Sequence, residues 1–141
     1  MQTLKILSIA ALIAAAALTQ SACTSSSEAE KVAVQFTKTV HEGKISDAFA
    51  MIDTRELNDE QKAHLNDRFT IFTEATLEHA DIFGGYLSSQ SVGSDGKCGK
   101  DGQVCKVFVL SVFGDGKRDK TVCQIINVGG QYMVKLNSEI E

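Results

Sequence analysis

Four cysteines, three histidines and two tyrosines hold most of the side-chain chemistry available to this chain of 141 residues. Cys98 and Cys105 flank an Asp101-Gly102 pair. If Lys100 pairs with Gln103 across a two-residue turn, Cys98 lies opposite Cys105 on one face of the hairpin, where a disulfide closes a short loop. In that register the two occupy a hydrogen-bonded site, with Cα atoms about 5.5 Å apart. A longer loop shifts the register, and paired reduced thiols or another pairing stand as alternatives. A redox-active role lacks its usual signature, since there is no Cys-x-x-Cys and no helix N-terminus beside either thiol. Cys123 is the third candidate. With a two-residue turn at Asp115-Gly116 it faces Phe108, away from Cys105, and packs as a small apolar side chain. A three-residue loop flips that parity and makes Cys105–Cys123 a competing bridge. These spacings fit no structural zinc site, so no metal is expected.

The histidines offer acid–base or metal chemistry. His64 lies four residues after Glu60 and three before Asp67, so the three share one helical face. Residues 58–68 are charged almost throughout, and that face reads as solvated. His41 and His79 both fall near helix C-termini, where a protonated imidazole suits the dipole. Tyr86 and Tyr132 sit on candidate strands, each able to bury its ring and leave its hydroxyl at a rim. An isomerase or dehydratase would need a histidine or aspartate within hydrogen-bond reach of one of these phenols; spacing ties none to them. A serine nucleophile motif, a phosphate-binding glycine loop and a metal-ligand cluster are all missing from the sequence. The expectation is therefore no catalytic residue, no cofactor and no enzyme. With a net charge of −4 and no basic run, nucleic acid is not an expected partner. The absence of Pro and Trp removes Pro-rich recognition segments and Trp stacking platforms.

Cys23 carries a different chemistry. Lys5 gives a weakly positive start, and residues 6–18 form an apolar run too short for a bilayer core, which needs roughly 20 residues. The run has the length of a signal-peptide core. Thr19-Gln20-Ser21-Ala22-Cys23 then sets two small side chains before the cysteine. This resembles a lipobox, where small residues admit the scissile bond to a narrow protease site and the thiol accepts diacylglycerol. Gln20 stands where an aliphatic residue is usual, and plain secretory cleavage nearby is the competing reading. Each buried methylene contributes about 0.8 kcal/mol to membrane attachment, so two or three acyl chains anchor a protein almost permanently. The division expected is a signal peptide at 1–22, a lipidated Cys23 with a polar tether over 23–27, and one domain over 28–141. Thr24 after the cysteine resembles the pattern of lipoproteins sent to the outer membrane, if the source is Gram-negative.

The elements that must position these groups follow from periodicity. Ser27 and Glu30 form a capping box for a helix over 28–42 with Ala29, Val32, Ala33, Phe36 and Val40 on one stripe, ended by Gly43. Ser46 caps a short helix through Ile52. Asn58 and Gln61 form a second capping box, opening a helix to about Ala80 with Leu65, Phe69, Phe72 and Ala75 or Thr76 inward. After Gly84-Gly85 the period becomes two, with strands over 86–92, 104–113, 120–128 and 131–136. Asp101-Gly102 and Asp115-Gly116 predict type I′ hairpin turns. The fold class is α+β, with three N-terminal helices packed on a curved antiparallel sheet of about four strands.

These residues resemble those of small bacterial lipoproteins carrying domain of unknown function 4878. The likeness lies in a cysteine and short polar tether, then a helix reading Glu30-Lys31-Val32-Ala33-Val34-Gln35-Phe36. It continues in the turn Gly43-Lys44-Ile45-Ser46-Asp47-Ala48, the Gly84-Gly85 entry to the sheet, and a closing Gly130-Gln131-Tyr132-Met133-Val134-Lys135-Leu136. The resemblance implies a nuclear transport factor 2-like, cystatin-like cone, and brings no established activity. The expected role is a membrane-anchored envelope module whose partners are the bilayer, through its acylated N-terminus, and an envelope protein or a small apolar ligand. Phe36, Phe69, Phe72 and Phe108 would line a pocket for the ligand or else fill the core. A small cone-fold enzyme and an accessory subunit of a secretion or pilus assembly are the alternatives.

Overall fold

The computed structural model describes residues 24–95 and 98–136. Cys23, the leader and the segment 137–141 lie outside the described residues. Three helices, α1 (Thr24–His41), α2 (Ile45–Ala50) and α3 (Asp59–Ile82), precede four strands. The strands are β1 (Tyr86–Ser94), β2 (Val104–Phe113), β3 (Arg118–Val128) and β4 (Gln131–Lys135), in the spatial order β1-β2-β3-β4. Every neighbouring pair is antiparallel. The α+β class and the four-stranded meander expected from the sequence are thus present.

The helices form because their apolar residues recur on one side. Ala29, Ala33, Phe36 and Val40 of α1 are buried. Two alanines in that stripe let the helix axis approach the sheet closely, and α1 touches all four strands as well as α2 and α3. The helix starts at Thr24, upstream of the expected Glu28, so Ser27 lies inside it and not at the cap. Once a downstream turn has nucleated, adding Thr and Ser residues costs only a few tenths of a kcal/mol each. α2 likewise begins at Ile45, with Lys44 at the cap position and no side-chain capping bond, so Ser46 is not its cap. The Asn58–Gln61 box is formed as expected: Gln61 N–H donates to Asn58 Oδ1 at 2.8 Å and Asn58 N–H to Gln61 Oε1 at 3.0 Å. α3 runs two residues past Ala80 and buries Leu65, Phe69, Thr73 and Ala80. Thr73 takes the inward place expected of Phe72, which is 38% exposed. Its Oγ1 is buried with no hydrogen-bond partner among the described residues.

β2 supplies the sheet's inner face through Cys105, Val107, Val109, Ser111 and Phe113, all buried. The β2–β3 connection departs from the expected two-residue turn. Phe113 N–H donates to Lys117 O at 2.9 Å and Gly116 N–H to Phe113 O at 2.9 Å. The loop therefore holds Gly114, Asp115 and Gly116, with only Gly116 left-handed at φ 92°. Among the described residues no non-glycine residue has positive φ, so neither Asp101 nor Asp115 forms a type I′ turn. An ordinary turn followed by a left-handed glycine is the usual three-residue solution. It shifts the register by one, pairing Val107 with Cys123 and Phe108 with Val122. Cys123 thus faces inward with Cys105, not opposite Phe108.

The loop is locked to the end of α3 by a backbone crossing. Gly114 N–H donates to Gly85 O at 2.8 Å and Asp115 N–H to Phe83 O at 2.9 Å. A Cβ on Gly114 would run into the Gly84 carbonyl oxygen, and one on Gly84 would lie 2.8 Å from Asp115 N. Two β-bulges in β1 add curvature. At the opposite end Cys98 and Cys105 form a disulfide with Cα atoms 4.9 Å apart. Gln103 N–H does donate to Lys100 O at 3.2 Å. Cys98, however, stands outside the strands, so the bridge is not a ladder pair and the strict hairpin register does not apply. Buried Asn127 secures the same loop, donating from Nδ2 to Gly99 O at 3.2 Å and accepting from Gly130 N–H at 2.9 Å.

Three stability outcomes follow, each read by chemical denaturation. Gly114→Ala should cost about 2–3 kcal/mol, because backbone lies where the methyl must go. Thr73→Val should stabilise by about 1 kcal/mol, because it removes a desolvated hydroxyl at nearly constant shape. Cys98→Ala with Cys105→Ala should lose roughly 2–3 kcal/mol under oxidising conditions relative to the parent, and nothing when both are fully reduced.

Candidate functional site

α3 packs on α1 and α2 and makes few contacts with the sheet. Around Phe72 and Ala75 it therefore stands off from β3, and a cleft of about 440 Å³ opens between α1, α3 and the inner face of β2, β3 and β4. Phe36 and Val40 of α1, Phe72 and Ala75 of α3, and Val134 with Leu136 form its apolar walls. Of the four phenylalanines considered for a pocket, Phe36 and Phe72 line it. Phe69 is fully buried in the core. Phe108 lies on the other face of the sheet, with Lys120 Nζ 4.8 Å from its ring centre.

Polar groups gather on part of the wall. His79 Nε2 donates to Asp119 Oδ2 at 3.2 Å. The sequence placed His79 at a helix end; the pairing with Asp119 required β3 register and was not legible. Asp119 faces inward because odd-numbered β3 residues share the side of Cys123. His41 Nδ1 donates to Thr37 O at 2.8 Å, which leaves Nε2 as the acceptor when the ring is neutral. The ring stacks on Tyr86 with centroids 4.2 Å apart and planes 13° apart. Partial burial lowers the His41 pKa; the Thr37 carbonyl opposes this, and neighbouring His79 adds to the lowering. Tyr86 hydroxyl donates to Ser89 Oγ at 2.8 Å, and Ser89 Oγ lies 2.7 Å from Ser111 Oγ. Burial raises the Tyr86 pKa. This hydroxyl chain ends on Ser111, which lines the cleft.

Among the described residues no histidine or carboxylate in the cleft hydrogen-bonds a hydroxyl or thiol. Cys123 lines the cleft as a free, buried thiol whose pKa burial pushes up to about 12. A thiol held neutral in this way is a poor nucleophile and metal ligand. His64 is exposed on α3, as a solvated face requires. It borders a second groove of about 630 Å³ that also carries Arg55, Arg68, Asp53 and Glu60. Arg55 is already held by Asp53, through Nε at 2.8 Å and Nη2 at 3.1 Å. Among the described residues the only cluster within metal-ligand reach is Asp95, Cys98 and Cys105, and its two thiols are consumed by the disulfide. Tyr132 is half-buried against the core, away from the ring contacts that His41 and His79 make.

The His41 arrangement fixes a pH dependence. The unfolded chain protonates this imidazole near its ordinary value of 6.5, and the folded chain only at lower pH. The unfolded state therefore binds more protons in that window, and stability falls as pH drops below about 6.5. His41→Phe keeps a ring against Tyr86 and should flatten the difference in unfolding midpoint between pH 7.5 and pH 5. An unchanged slope would remove this assignment. Cys123 should resist alkylation at pH 8 in the native protein and react on unfolding.

No family model matches this chain, and no curated protein matches it. Among solved structures it is similar to a candidate NTF2-like transpeptidase from Campylobacter jejuni, at 24% sequence identity and a TM-score of 0.70. The likeness covers 77% of this chain and 97% of that one. At this identity the comparison speaks to architecture alone, and with the helices-then-sheet order above it places the chain in the NTF2-like α+β fold.

Proposed function

We propose that this protein is a lipid-anchored envelope module that binds a small, mainly apolar ligand in the cleft between α1, α3 and the sheet. The observation that carries the reading is the cleft itself. Its volume of about 440 Å³ falls within the roughly 300–1,000 Å³ of small-molecule pockets, and its walls are apolar with a few convergent polar groups. His41, His79, Asp119 and Ser111 would orient the polar end of such a ligand. We read the role as non-enzymatic: His79 is held by Asp119, His41 by the Thr37 carbonyl and Ser111 by the Ser89 hydroxyl, and among the described residues none of the cleft's histidines or carboxylates bonds a nucleophile. Anchoring rests on the apolar leader and on Ser21-Ala22-Cys23. Among the described residues no helix is long and apolar enough to cross a membrane. Lipid on Cys23 would set the domain at the outer-membrane surface facing the periplasm, in a Gram-negative source.

A second reading is an enzyme of isomerase or dehydratase type, favoured by two histidines and Asp119 facing one cleft. Against it, His41 stacks on Tyr86 and makes no hydrogen bond to the phenol. An accessory role in a secretion or pilus assembly differs only in the partner.

Ala75 is exposed and lines the cleft, so Ala75→Trp fills the space without touching the core. The variant should bind the apolar dye 1-N-phenylnaphthylamine at least about 10-fold more weakly than the parent, with unchanged stability. Native mass spectrometry of protein taken from its own membrane should show a co-purified small molecule that this variant lacks. Repeated recovery of empty protein that also ignores the dye would end the ligand reading. Cys23→Ala should release the chain from the membrane fraction and remove an N-terminal acyl mass; retention without that mass would end the anchor reading.

A further inference from the structure

Among the described residues the N-terminal half of β3 is open along one edge. β4 pairs with β3 only from Gln124 to Val128, so residues 118–123 have a strand neighbour on the β2 side alone among the described residues. The hydrogen-bonded pair Phe113–Lys117 fixes the phase of the ladder. Counting along β3 from that pair, Asp119, Thr121 and Cys123 exchange bonds with β2, while Arg118, Lys120 and Val122 turn their N–H and C=O groups toward the open edge. The other sheet edge, β1, is broken by two bulges, whereas β3 pairs through this stretch without a shift. A regular, unblocked edge is a template for a further strand.

Charge selects what fits it. Arg118 and Lys120 stand side by side on the outer face and are opposed across the ladder by Val112 and Leu110, neither of which is acidic. Lys120 rests over Phe108, and Arg118 has no ion pair among the described residues. On the inner face Asp119, Thr121 and Cys123 line the cleft. A strand laid here would place alternate residues opposite two cations and the intervening ones at the cleft mouth.

We propose that the open edge of β3 is a β-augmentation site for an extended peptide segment that alternates acidic and apolar residues. Backbone bonds from Arg118, Lys120 and Val122 supply the ladder, and the two cations select acidic side chains. This site does not depend on a ligand filling the cleft, because the ladder is read on the backbone.

The probe is a seven-residue peptide alternating glutamate and valine, added to the full chain purified in detergent. Hydrogen exchange should show new protection at the amides of Arg118, Lys120 and Val122. N-methylating alternate peptide amides in one phase should abolish binding, and methylating the opposite phase should leave it intact. Replacing Arg118 and Lys120 together by Glu should weaken the glutamate peptide by roughly 10-fold or more and favour a lysine–valine peptide instead. Both positions are exposed, so the fold should be kept. Three results would overturn the proposal. These are no binding, equal binding by both methylated forms, or slow exchange at the three amides in the free protein, which would mean that the chain already covers its own edge.

Discussion

The three-residue loop Gly114-Asp115-Gly116 decides what every side chain of β3 can do. Because side chains alternate along a strand, one residue more or less in the connection exchanges the two faces of β3 relative to β2. In the observed register Asp119, Thr121, Cys123 and Ile125 point at the helices, while Arg118, Lys120 and Val122 point outward. A two-residue turn would bury two cations and expose the Asp119 carboxylate. The choice is enforced away from the loop as well as within it. Phe83, Gly84 and Gly85 meet Gly114 and Asp115 backbone to backbone, so the end of α3 is seated on the hairpin it must face. That seating brings His79 to Asp119.

A second consequence concerns the cysteines. The same parity puts Cys105 and Cys123 on one face, yet Cys123 pairs across from Val107 and not from Cys105. Cys105 is instead bridged by Cys98. The segment carrying Cys98 is held by Asn127, which satisfies its amide on Gly99 and Gly130 at once. Asp101 Oδ1 adds a bond from Gly129 N–H at 2.7 Å. Disulfide and polar network together tie the β1–β2 connection to the β3–β4 turn. A buried amide with both ends satisfied orders these two loops more specifically than apolar contact would.

Much of this architecture was legible in the sequence, for physical reasons that differ by element. β2 was read to the residue, because its inward face is a continuous row of Val, Phe and small residues bounded by Gly and Asp. The Asn58–Gln61 box marked the start of α3, since both members act locally. What depended on distant partners was not legible. The dipeptide Asp115-Gly116 is compatible with two loop lengths, and the crossing with Phe83, Gly84 and Gly85, distant in sequence, helps select between them. The expected inward stripe of α3 held Phe72 and not Thr73, yet Thr73 is the buried residue, a choice set by how the helix seats on its neighbours and not by its own sequence. His79 met Asp119 only through the register, at a separation of 40 residues. The lipidation motif at Cys23 was read from local residues alone and lies outside the described chain.

The cleft itself follows from which surfaces the helices choose. α1 is narrow where it meets the sheet, because two of its four buried apolar residues among the described ones are alanines, and it can lie close to all four strands. α3 then finds its apolar support on α1 and α2, one layer further from the strands. β4 stops at Lys135, so nothing among the described residues fills the step between α3 and the near half of β3. A larger residue at Ala75, or a Phe72 turned fully inward, would fill that step. The sequence keeps Phe72 half out and puts a desolvated hydroxyl at Thr73. Both choices cost stability, and the first leaves open the cleft where two histidines, a carboxylate and a strand edge converge.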